Sequence, residues 1–110
     1  MLMLKMAVIG DKETCLPFRG VGVEGIVCEK AEEVKKILRQ RFEEGYGVIF
    51  IAESLAAECL EMIEELTEKR SMPIITIIPD FLKRSPGITE SRLKNWLRRA
   101  VGIDISKMRD

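Results

Sequence analysis

Histidine is absent from this chain of 110 residues. Without it there is no Ser–His–Asp or Cys–His nucleophile, no histidine-ligated metal, and no ordinary proton switch near neutrality. Cysteine is scarce: Cys15, Cys28 and Cys59 are odd in number, widely spaced and never in a C-x-x-C pair. That argues against a disulfide framework or a zinc site, and for a reducing cytosolic setting. No apolar run approaches the ~20 residues of a membrane helix. The opening Met1-Leu2-Met3-Leu4-Lys5-Met6 is too short for the apolar core of a signal peptide. Direct membrane insertion is not expected, and any membrane role runs through a partner. Excess charge is missing too: 18 basic and 18 acidic groups cancel. That balance excludes a polybasic nucleic-acid binder and an acidic solvating tail.

What is present reads as one globular unit, with 46% hydrophobic and 33% charged residues. Met3 to Gly10 is expected to be a strand ended by glycine. Asp11 to Arg19 reads as a short helix, with Asp11 as N-cap and Pro17 limiting its length. A turn at Gly20–Val23 leads to a second strand, Gly25 to Cys28. From Ala31 to Phe42 the apolar residues Ala31, Val34, Ile37, Leu38 and Phe42 recur at helical spacing. Val48 to Ala52 has no polar alternation and predicts a strand buried on both faces. Ser54 to Lys69 reads as one long helix with the stripe Leu55, Cys59, Met62, Ile63 and Leu66. Ile74 to Ile78, entered at Pro73, reads as a fourth buried strand.

Strands alternating with helices imply a parallel sheet with right-handed crossovers. The expected fold is α/β: a small four-stranded parallel sheet, Rossmann- or receiver-like, in the order 2-1-3-4, with helices on both faces. Residues 1–79 form this domain and 80–88, rich in proline and glycine, a linker. Residues 89–110 form a C-terminal helix and tail, the helix running from Thr89 to Val101 before Gly102. Charge divides here as well: residues 1–89 sum to −3 and residues 90–110 to +3. The last helix carries Leu93, Trp96, Leu97, Ala100 and Val101 as a stripe, beside Arg92, Lys94, Arg98 and Arg99. Trp96 between arginines has the composition of an interface hot spot, or it packs back on its own sheet.

Chemistry-bearing motifs are weak. Gly20-x-Gly22-x-x-Gly25 matches a dinucleotide pattern but follows a helix and leads into a strand, so it reads as a glycine-rich turn. No P-loop occurs. A phosphoacceptor receiver needs an aspartate ending the third strand, where Ala52-Glu53 stands, and a fifth strand, which is not expected. Cys15 reads as a packed small hydrophobe because Leu16, Pro17 and Phe18 add bulk where a reactive thiol needs a cradle. Glu53 and Asp80 could pair across neighbouring strand ends. These residues supply no catalytic set, cofactor site or metal ligands.

The chain resembles the F subunit of the archaeal and bacterial V-type and A-type rotary ATPases. The likeness rests on Val8-Ile9-Gly10-Asp11, Thr14, Phe18-Arg19-x-x-Gly22-Val23, Gly47 to Glu53, Pro73-Ile74, Ile78-Pro79 and Leu97 to Ile105. Pro17 and Gly20-Val21 depart from the family pattern, in the geometry of the first helix and turn. The resemblance implies a non-catalytic rotor component on the cytoplasmic face of the membrane. It implies docking on the coiled-coil D subunit of the central stalk and contact with a membrane-side stalk subunit. Its C-terminal helix would reach the A and B subunits of the catalytic head, with Leu93, Trp96, Leu97, Arg98, Arg99 and Val101 as candidate contacts. The alternative from a different class is a stand-alone receiver-like or phosphotransfer signalling domain.

Overall fold

The computed structural model describes residues 5–79, together with Asn95 and Arg99 as single helical, exposed positions. The elements follow in the order β1 (Met6–Gly10), α1 (Lys12–Gly20), β2 (Glu24–Val27), α2 (Ala31–Phe42), β3 (Val48–Ala52), α3 (Glu53–Ala56), α4 (Leu60–Lys69) and β4 (Ile74–Ile78). The four strands pair in parallel in the order β2-β1-β3-β4, as expected.

Chain direction across the sheet dictates where the helices go. The step from β1 to β2 runs one way, and the steps from β2 to β3 and from β3 to β4 run the other. With right-handed crossovers, α1 therefore lies on one face and α2, α3 and α4 on the opposite face. The core divides accordingly. On the α1 face, Met6 and Val8 of β1 and Val48 and Phe50 of β3 pack with Cys15, Phe18 and Val21. The rings of Phe18 and Phe50 stand 5.6 Å apart. On the other face, Ala7, Ile9, Ile49 and Ile51 meet Val34 and Leu38 of α2, Leu55 and Ala56 of α3, and Cys59. Both central strands are buried along their whole length. That is why their sequences show no alternation: each face of the pleat receives a helix layer.

Four local expectations change. α1 runs to Gly20, one residue past the expected Arg19, with Pro17 inside it as that span implied. Pro17 forfeits one amide donor, and burial of Thr14, Cys15 and Phe18 on one side of the helix holds the remainder. β2 begins one residue early, because the pairing of Ala7 with Glu24 and of Gly10 with Val27 sets its span. The long helix from Ser54 to Lys69 is two helices. Between them the amides of Glu58 and Cys59 bond three residues back, to Leu55 and Ala56, and Cys59 leaves helical geometry at φ −140°, ψ 30°. Burial of Ala56 and Cys59 prevails there over helix propensity. Finally, β4 is not a buried strand: only Ile78 is fully covered, and Ile74 and Ile77 are exposed.

Candidate functional site

In an open parallel sheet, ligands gather at the carboxyl ends of the strands, where the order reverses. Here that place lies between β1 and β3. It is a shallow depression of about 290 Å³ lined by Asp11, Cys28, Glu29, Ala52, Ser54 and Leu55. Its chemistry is largely committed to the fold. The Asp11 carboxylate accepts a hydrogen bond from the Thr14 amide at 2.7 Å and caps α1, as its position before the helix predicts. The Cys28 thiol donates to the Lys30 carbonyl at 3.4 Å. Burial pushes this thiol above its ordinary range, with the neighbouring Glu33 and Glu32 adding to the shift.

Cys15 and Cys59 behave alike. Cys15 is buried under α1, within 3.6–3.7 Å of the carbonyls of Val8, Gly10 and Ile26. Desolvation raises its thiol, and also that of Cys59. A nucleophile needs a lowered thiol and access to solvent, so these cysteines are packing residues, as expected for Cys15. The glycine motif is a turn. Gly22 takes a left-handed conformation at φ 89°. At Gly25 a Cβ would fall 2.5 Å from Nε of Arg19 and 3.1 Å from Cβ of Cys15. The close approach of α1 to β2 at Cys15 favours a glycine there. Among the described residues no group of three acidic or thiol side chains is placed to hold a metal.

At the opposite end of the sheet, Tyr46 donates to Glu24 at 2.8 Å, Arg41 pairs with Glu44 at 2.9 Å, and Lys5 lies over the Tyr46 ring at 4.3 Å. This knot ties the start of β2 to the turn after α2.

Of the residues singled out as partner contacts, Leu93, Trp96, Leu97, Arg98 and Val101 lie outside the described residues. Arg99 is helical and exposed. Asp80, the suggested partner of Glu53 across the strand ends, also lies outside them. The sequence reading overlooked a surface at the β4–α4 margin. Leu60, Met72, Ile74 and Ile77 are each between 44% and 52% exposed, and α4 has no fully buried residue. The signal was present: in the order 2-1-3-4 the fourth strand is an edge, so Ile-Ile-Thr-Ile-Ile could not be covered as a central strand is.

Comparison with known proteins gives a consistent result along the chain. The family model described as ATP synthase (F/14-kDa) subunit matches residues 6–95. The A-type ATP synthase F subunit of Methanothermobacter thermautotrophicus is 35% identical over 104 residues, covering 93% of this chain and 96% of that one. The V-type ATP synthase F subunit of Thermus thermophilus is 31% identical over 102 residues, covering 91% and 98%. That of Fusobacterium nucleatum is 34% identical over 104 residues, covering 94% and 97%.

Proposed function

The chain belongs to the family of ATP synthase (F/14-kDa) subunits, and from that premise we propose that it is a non-catalytic component of the central stalk. In this reading it turns with the rotor and couples ATP synthesis or hydrolysis to proton or sodium transport through contacts alone. The α/β domain docks on the D subunit and neighbours the membrane-side stalk subunit. The C-terminal segment, with Leu93, Trp96, Leu97, Arg98, Arg99 and Val101, meets the A and B subunits of the catalytic head and regulates ATPase activity. The protein sits peripherally on the cytoplasmic face of the membrane. No described helix is long and apolar enough to cross a bilayer, which fits a peripheral place.

One observation carries the reading: relatives named as the F subunit of A-type and V-type ATP synthases align with more than nine-tenths of this chain. The committed chemistry of the strand ends supports it, because Asp11 caps a helix and the thiols are buried. The deciding experiment is affinity purification of the tagged full chain from its own cells. Recovery of a long coiled-coil protein with the ATPase head subunits is expected. Recovery of the chain alone, with a stable phosphoprotein forming on incubation with a phosphodonor, would instead establish the signalling-domain alternative.

A further inference from the structure

Four of the six large apolar side chains exposed among the described residues belong to one strip: Leu60, Met72, Ile74 and Ile77. α4 runs antiparallel to β4, so Leu60 and Ile77 lie toward one end of the strip and Ile74 and Met72 toward the other. The strip spans both faces of the sheet. Ile78 packs in the α1-side core, so Ile74 and Thr76 share that face. Ile75 packs against the opposite core, so Ile77 faces the α4 side.

Among the described residues, no strand pairs with the outer edge of β4. Ile74 donates its amide to the Gly47 carbonyl at 2.9 Å, and Ile74, Thr76 and Ile78 are in register with Val48, Phe50 and Ala52. In a parallel ladder, alternate residues direct both N–H and C=O to the same neighbour. Ile74, Thr76 and Ile78 therefore face β3, and Ile75 and Ile77 turn their backbone groups to the free edge. Natural edges are usually blunted by a charge or an inward lysine. β4 carries neither, and Pro73 and Pro79 only bound its length.

We propose that the free edge of β4 is a strand-docking site for an extended segment of a partner protein. A helix laid on this margin would cover one face and leave the outward backbone groups unanswered. An extended chain pairs with Ile75 and Ile77, and its alternating side chains cover Ile74 on one face and Ile77 on the other. Charge narrows the partner. α4 carries four glutamates against one lysine, and helical spacing sets Glu64 on its β4 flank, while the groove on its other flank, toward α2, mixes Glu58, Glu61 and Glu65 with Lys35 and Arg39. The occupant is thus alternately apolar, with lysine or arginine on its α4 side. A second copy of this chain fits poorly. Antiparallel pairing of two β4 edges would set two acidic α4 helices side by side on one face.

The identity of the partner as an ATPase component rests on the function proposed above; the edge does not. The test begins with amide exchange of the full chain by NMR, alone and with the synthetic peptide Lys-Val-Thr-Val-Thr-Val-Lys. The amides of Ile75 and Ile77 should exchange fast in the free chain and slow at least about tenfold when the peptide saturates. A counterpart ending in glutamates should bind about fivefold more weakly. Slow exchange in the free chain at every concentration would mean that the chain's own segment fills the edge, and slowing only at high concentration would mean a second copy. Either overturns the proposal, as does a peptide that leaves both amides unchanged. In the assembled ATPase, Ile77→Lys should lower co-purification at least about tenfold. Leu16→Lys, at a more exposed apolar position on α1, should not. A wild-type chain that co-purifies while its Ile75 and Ile77 amides stay unprotected sinks the docking edge and leaves the assembly reading standing. A chain that binds the peptide but recovers no ATPase component sinks the assembly reading and keeps the edge.

Discussion

Tyr46 shows how one side chain here serves structure rather than chemistry. Its ring is almost wholly buried, and its hydroxyl donates to Glu24 at 2.8 Å. Burial first, then the bond to the Glu24 carboxylate and its charge, push the phenol up to about 12. Folding therefore favours the protonated phenol. That contribution is complete below the ordinary tyrosine value near ~10 and is lost as pH rises through about 12. Tyr46→Phe should cost about 1 kcal/mol at pH 8, the net worth of one hydrogen bond. Urea melts of both proteins should show the gap closing as pH approaches 12, and a gap that stays constant would contradict the assignment. The cysteines lead to a second expectation. All three are buried, with thiols raised by desolvation. Alkylation of the native protein at neutral pH should proceed no faster than its opening, and mass spectrometry of iodoacetamide-treated samples measures this.

Among the elements, α1 carries the plainest conflict between local preference and packing. Pro17 lies mid-helix, yet the helix continues to Gly20 because Thr14, Cys15 and Phe18 are pinned beneath it. An interior proline costs about 3 kcal/mol against alanine, and its stiffening of the unfolded chain returns about 1. Pro17→Ala should therefore raise stability by about 1–2 kcal/mol and shift the thermal midpoint upward. A lower midpoint would show that the ring itself fills a needed space. The same contest explains what was legible in the sequence. Ala31–Phe42 and Val48–Ala52 have the bounds read from their apolar spacing, because propensity, pattern and burial agree there. The break after Ala56 was hidden, since Leu55, Cys59, Ile63 and Leu66 also suit a single helix and only the three-dimensional seating of Cys59 interrupts it. The exposure of β4 was hidden for another reason: Ile-Ile-Thr-Ile-Ile reads as buried unless strand order is weighed with it. At the strand ends, the turn at Gly20–Gly25 and the cap at Asp11 were readable because each has a local steric or hydrogen-bonding cause.

For the whole molecule the question is whether residues 1–79 stand alone and what the remainder adds. Two core layers close on the sheet between β1 and α4, so a chain ending after Asp80 should keep a single cooperative melting transition by circular dichroism. A truncated chain that melts without cooperativity would make the C-terminal helix part of the core. The reach of that segment follows from its length. On the proposed function, residues 80–88 would span up to about 30 Å as an extended chain, and a helix from Thr89 to Val101 would add about 20 Å. That proposal puts Trp96 within reach of surfaces beyond the domain. In the same proposal, the stripe of Leu93, Trp96, Leu97, Ala100 and Val101 would be covered either on the parent domain or on the shaft and catalytic head. If neither surface dominates, the arm populates both, and a contact on the head biases catalysis in proportion to its occupancy. Residues 90–110 sum to +3, so the receiving surface is expected to be acidic and the contact to weaken with salt. Trp96→Ala, and deletion of residues 88–110, should leave assembly with the D subunit intact while changing the ATPase rate of the complex by at least about twofold. The change should shrink as ionic strength rises. Steady-state ATP hydrolysis by the reconstituted complex at low and high salt measures it, and rates equal to wild type for both variants would leave the arm without a regulatory role.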